Sequence, residues 1–194
     1  MRTAGLKLDQ APDLDIPLRF FLTAPLFAAA AGVLLLLGGP ELLVSPWHPR
    51  TLALTHLVTL GALTMAMLGA LYQLLPVVVG VVVPGNRWSR WLHPAFGLGV
   101  VGLAAGLWLS HRPLLAAGLV LLAASLVPRL VQQALCLLRR QAHGPSVQLL
   151  RLAVLAFAGA IVLGLLFGSG HAAGWWPLSR QQALPVHVFW SLGG

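Results

Sequence analysis

The sequence predicts an all-α fold: a polytopic transmembrane helix bundle of five full helices followed by a truncated sixth. Three observations carry this expectation. Of 194 residues, 58% are hydrophobic and 8% charged, whereas a soluble domain carries about 25% charged residues. Too few polar side chains remain to coat a water-facing surface. Apolar runs recur at the length of about 20 residues that crosses a hydrocarbon core roughly 30 Å thick. Finally, the twelve Lys and Arg residues sit singly or in small groups at the ends of these runs, where they specify topology and not a phosphate-binding face. The formal net charge of +8 therefore does not imply a nucleic-acid partner.

Residues 1–16 form an N-terminal segment with Asp9, Asp13 and Asp15 and no apolar stretch, which is wrong for a cleavable signal peptide and leaves targeting to the first helix. The bundle occupies 17–194. Its first helix spans about 17–37, led by Pro17, which is tolerated in a first turn, and stopped by Gly38, Gly39 and Pro40. After a loop containing Glu41 and Trp47-His48-Pro49, the second spans about 51–75. Pro76 kinks its end, and an apolar tail runs from Val77 to Val83. Pro84-Gly85-Asn86 is a turn signal, the third helix follows over about 91–109, and Ser110 to Pro113 reverses the chain. The fourth helix covers about 114–138, with an amphipathic extension toward Arg140, and the fifth about 147–168. The last segment, 184–194, holds 11 residues, only about 16 Å of helix. Membrane helices do not end with unpaired carbonyls at mid-depth, so the natural protein is expected to continue beyond Gly194, or the chain to be a fragment or part of a split gene.

With alternating helix directions, Arg2, Lys7, Arg19, Arg87, Arg90, Arg129, Arg139, Arg140 and Arg151 share one side, against Arg50, Arg112 and Arg180 on the other. The positive-inside rule places the N-terminus in the cytoplasm of a bacterial-type inner membrane. Arg129 falls about one turn from the inner boundary and is expected to snorkel there. Trp47, Trp88, Trp91, Trp175 and Trp176 are expected as interface anchors. Small residues repeat at four-residue spacing in Ala28 and Gly32, in Gly102 and Gly106, and in Ala160, Gly164 and Gly168, so that helix backbones approach closely. Cys136 stands alone and is expected as a small buried hydrophobe.

Seven histidines are the most informative polar feature. His48 and His111 flank prolines and are expected as solvated loop residues, as are His93 and His143. His56 lies about one and a half turns inside the second helix, where an ionisable group needs a partner or a water-lined cavity. Thr55, Thr59, Ala62, Ala66, Gly69 and Gln73 recur at helical spacing and are expected to form one weakly polar stripe beside it. His187 enters the last helix just after Pro185. The second and sixth helices run in the same direction, which brings His56 and His187 to one leaflet and allows two imidazoles to ligate haem iron axially. His187 comes out shallower than His56 unless its helix begins earlier, around Ser179 to Gln182. His171, near the end of the fifth helix, is a third candidate ligand. A histidine hydrogen-bonded to a neighbouring helix is the competing reading.

The run His56-Leu-Val-Thr-Leu-Gly61, continuing through Met67-Leu-Gly69-Ala-Leu-Tyr72 to Leu75-Pro76, resembles the second-helix pattern of haem-copper oxidase subunit I and of NnrS-type membrane proteins. His187-Val-Phe-Trp-Ser-Leu-Gly193 is similar to other His-then-Gly helix openings of those families. The resemblance covers about two helices. It implies that His56 is an axial ligand of low-spin haem, and that His187 is a haem or copper ligand. It further implies electron transfer or chemistry of a diatomic gas (O2 or NO), with noncovalent haem b, copper as a second metal, and a redox partner or another membrane subunit. The sequence has no adjacent His-His pair and no His-x-x-x-Tyr pattern, so a complete dioxygen-reducing centre is not visible in it. No Cys-x-x-Cys-His attachment site, phosphate loop or nucleophile elbow is present. The alternatives are a transporter or channel in which His56, Gln73 and Tyr72 line a polar path, and a structural membrane subunit. Association with copies of itself is compatible with all three.

Overall fold

The computed structural model describes residues 10–80, 82–85, 88–139, 144–175 and 179–192. Six helices cross or enter the bundle: α1 (Asp15–Gly38), α2 (Pro49–Val79), α3 (Ser89–Trp108), α4 (Arg112–Leu137), α5 (Pro145–Ala173) and α6 (Arg180–Leu192). The first five are long and apolar enough to span a membrane. A short 3-10 turn, Gly39–Leu43, closes α1. The expected bounds hold to within a few residues, with two differences. Helix α2 continues past Pro76 into the apolar tail, as expected, and ends at Val79, where Gly80 stops it in a left-handed conformation. Helix α5 extends past Gly168 to Ala173, and α6 begins at Arg180.

The helices alternate in direction. Thr51 near the start of α2 donates its hydroxyl to the Leu42 carbonyl just beyond α1 (2.6 Å). The Arg50 guanidinium lies 5.4 Å from the centre of the Trp108 ring at the end of α3. At the opposite end, Asp15 pairs with Arg19 (3.1 Å) and with Arg90 at the start of α3 (3.4 Å). There the Arg151 Nε and guanidinium N–H groups also donate to the Leu137 carbonyl (3.2 and 2.8 Å), satisfying the end of α4.

Glycine sets the closest crossings. A Cβ on Gly61 would lie 2.6 Å from the Phe27 ring and one on Gly69 2.9 Å from Phe20 Cβ, so α1 lays its aromatic residues directly on α2. Between α3 and α4, a Cβ on Gly102 would meet Gly118 Cα at 2.8 Å, and one on Gly106 the Leu115 amide nitrogen at 2.5 Å. The Ala28 and Gly32 stripe behaves differently from expectation: both face outward and Gly32 has open space beside it. The side of α1 that packs is the one carrying Phe20, Ala24, Phe27 and Ala31.

Helix α2 is not uniform. Its residues Leu57–Thr64 form a π-helix that begins directly after His56. A π turn holds more residues than an α turn and shifts every side chain that follows it. The expected stripe from Thr55 to Gln73 is therefore broken: Gly69 is buried, whereas Thr55 and Gln73 are exposed. Thr55 and Thr59 return their hydroxyls to the carbonyls of Thr51 (2.9 Å) and Thr55 (2.8 Å).

Candidate functional site

His56 is partly buried, and its Nδ1 lies 2.7 Å from the Leu52 carbonyl one turn back. A carbonyl only accepts, so Nδ1 carries the proton and Nε2 keeps its lone pair. That is the tautomer a metal-ligating histidine needs, with its other nitrogen held by a backbone carbonyl. The π-helix that starts at the next residue is a feature found at functional sites.

His187 lies on α6, which packs against α5. Its ring packs over Gly164 of α5, where a Cβ would come within 3.3 Å of Cε1, and meets the Phe167 ring edge-on at 5.7 Å between centres. Three residues along, the Trp190 ring covers Gly159. As α6 advances, its contacts on α5 step backward, so α6 is antiparallel to α5 and parallel to α2. His56 and His187 lie within electrostatic range of each other, and the buried His187 Nδ1 has no hydrogen-bond partner. Helix α6 begins earlier, at Arg180, so that each histidine is seven residues inside its own helix, about 10 Å along it. His171 occupies the last turn of α5, one turn beyond Phe167. Among the described residues no group of three or more His, Cys, Asp or Glu could hold a metal ion.

His48 and His111 are exposed residues outside the helices, as expected, and they also have a structural role. His48 and His111 cap the starts of α2 and α4, their Nδ1 atoms accepting from the amides of Arg50 (3.3 Å) and Leu114 (3.1 Å). His93 differs from the expected solvated loop residue and lies inside α3. The Thr23 hydroxyl donates to the Arg19 carbonyl (2.8 Å), so the His93 Nε2–H donates to Thr23 Oγ1 (2.9 Å), and the ring packs edge-on to Phe20. His143 and Trp176 fall outside the described residues. Trp88, Trp91 and Trp175 are exposed, as interface anchors would be. The polar path proposed through His56, Tyr72 and Gln73 does not form a single face, since Tyr72 is fully buried and Gln73 exposed.

Sequence reasoning missed a second polar cluster. Arg129 does not snorkel: it is 1% exposed, deep in α4, with its guanidinium carbon 3.4 Å from the centre of the Tyr72 ring. Gln132, Gln133 and Ser89 are buried at the same end of the bundle. The signal was the run Arg129, Gln132, Gln133 at helical spacing, which places three polar residues on adjoining faces without saying whether lipid or protein covers them. Cys136, one turn beyond Gln132, is fully buried, as expected.

No known protein family, curated protein or solved structure matches this chain.

Proposed function

We propose that the chain is a haem-binding integral membrane protein related to haem-copper oxidase subunit I and the NnrS type. In this reading it serves electron transfer or the chemistry of O2 or NO. The proposal is supported by the placement of His56 and His187, each seven residues inside its helix, on two parallel helices and near enough to interact electrostatically. The residues fit the group. His56 offers Nε2 because Leu52 holds its Nδ1 proton. His187 brings an imidazole whose Nδ1 is buried and unpartnered, an arrangement that costs free energy unless something binds there. His56 and His187 would be the residues that hold a noncovalent haem b.

Held by these residues, a haem would supply one-electron transfer or the binding of a diatomic gas. The chain's own contribution is positional. The Leu52 carbonyl fixes the ring orientation and tautomer of His56, Gly164 lets the His187 ring lie against α5, and Phe167 shields its edge. His171, in the last turn of α5, is a third candidate ligand for the haem, and copper as a second metal would fall to His187. Arg19, Arg90, Arg129, Arg139 and Arg151 at one end, against Arg50, Arg112 and Arg180 at the other, support an N-terminus in the cytoplasm of a bacterial-type inner membrane. The histidine pair then lies in the outer half, within reach of a redox partner or another membrane subunit.

The test is an optical spectrum of detergent-purified protein expressed with adequate haem. A Soret band that His56→Ala or His187→Ala abolishes or shifts is expected. Its absence from the unaltered protein would overturn the proposal, and an unchanged spectrum in either variant would remove that histidine from the site.

A further inference from the structure

The cluster around Arg129 holds a charge that no described side chain balances. All three guanidinium nitrogens are buried without a hydrogen-bond partner, and so are the Tyr72 hydroxyl, the Ser89 hydroxyl, both amide atoms of Gln133 and the Gln132 carbonyl oxygen. The Gln132 amide is used, donating to the Gly85 carbonyl (3.3 Å). No described carboxylate is paired with it: Asp15 is engaged by Arg19 and Arg90, Asp13 lines a cleft at this end without an ion pair to Arg129, and Glu41 lies beyond the far end of α1. Magnitudes decide whether Tyr72 is enough. A desolvated cation–π contact is worth about 2 kcal/mol or somewhat more, whereas burying an ion costs several kcal/mol even after relaxation. The ring covers one face of the guanidinium and leaves its N–H edges unserved.

We propose that Arg129, with Tyr72, Gln133 and Ser89, forms a binding site for a small monovalent oxyanion of the carboxylate or nitrate class. The planar guanidinium presents a fork that matches two oxygens on one atom, and one positive charge is balanced by one negative charge. Hydroxyl and amide donors buried at the same end add hydrogen bonds to the remaining lone pairs. A cleft of about 170 Å³ adjoins this end, lined by Gln10, Asp13, Val83 and Pro76, the last of these one helical turn beyond Tyr72. The site is separate from the histidine pair: Tyr72 lies 16 residues beyond His56 on α2, about 24 Å along a helix.

The experiment is a thermal-unfolding titration of the full chain in detergent with formate, acetate and nitrate. A bulky sulfonate buffer salt holds ionic strength constant. A saturable rise in unfolding temperature of several degrees is expected with these ions. Arg129→Met should unfold at or above the temperature of the anion-free protein, since it removes an unpaired buried charge, and should lose the response. If Arg129→Met does not fold, Arg129→Lys keeps the charge but not the fork and should need at least tenfold more anion. Native mass spectrometry of the same sample separates the sources. A bound phospholipid that disappears in Arg129→Met would overturn the assignment to a free small anion. So would a flat titration of the unaltered protein, or an equal response in the variants.

Discussion

Gly118→Ala tests the closest helix crossing in the bundle. An added Cβ at this position would meet the Leu103 amide nitrogen and lie 2.6 Å from the Gly102 carbonyl carbon. Comfortable separation between such atoms is about 3.5–4.0 Å, so α3 and α4 must part by roughly 1 Å. No rotamer change relieves the overlap, because the obstructing atoms are backbone. Overpacking of this kind costs about 1–3 kcal/mol, which corresponds to roughly a fivefold to hundredfold shift in the unfolding equilibrium. Gly32→Ala is the control of opposite sign. Its site is open, and replacing a mid-helix glycine by alanine there should gain about 0.5–1 kcal/mol. Unfolding in mixed micelles of increasing SDS fraction, followed by far-UV circular dichroism, measures both. Equal midpoints for Gly118→Ala and the unaltered protein, or a loss at Gly32→Ala, would refute the packing described for α3 and α4.

Thr23→Val removes the acceptor for His93 while keeping shape, and should lower stability by about 1 kcal/mol or more in the same assay, since it leaves a partly buried donor unpaired. His111→Ala should cost about 1 kcal/mol through loss of the cap on α4, and His111→Asn should restore most of it. Gly164→Leu should weaken the Soret band, if haem is bound, because the new side chain occupies the place where the His187 ring lies against α5. A band of unaltered intensity and position would separate Gly164 from the site.

Long apolar runs punctuated by proline and glycine made the helices legible, because bilayer thickness fixes their length and these residues mark their ends. The start of α6 was not: Arg180-Gln181-Gln182 has loop composition, and Pro185 looks like a first-turn residue although it sits five residues inside the helix. Arg129 was misplaced for a different reason. Counting residues to a boundary gives depth along the membrane normal, whereas burial depends on which way the side chain points, and that is set by Tyr72 on another helix. His48 and His111 precede helix starts in the sequence, but histidine is an uncommon cap, so their position was visible and their role was not.

The π-helix between the two polar clusters has a geometric consequence. In an unbroken α-helix, residues 16 apart such as His56 and Tyr72 would project roughly 160° from each other, which would turn one of them toward lipid. Eight residues at the wider pitch of a π-helix, about 4.4 per turn, reduce that angle to roughly 15°. Tyr72 points into the bundle, toward α4 and α1, and the change of register turns it to the side of α2 that carries His56. The run Leu-Val-Thr-Leu-Gly-Ala-Leu-Thr is apolar almost all round, so no hydrophobic period within it opposes the change of register. Gly61, in its middle, accepts the Phe27 ring and keeps α1 in contact while the register shifts. An eight-residue irregularity thus lets a single membrane helix carry one polar side chain at each end of the same face.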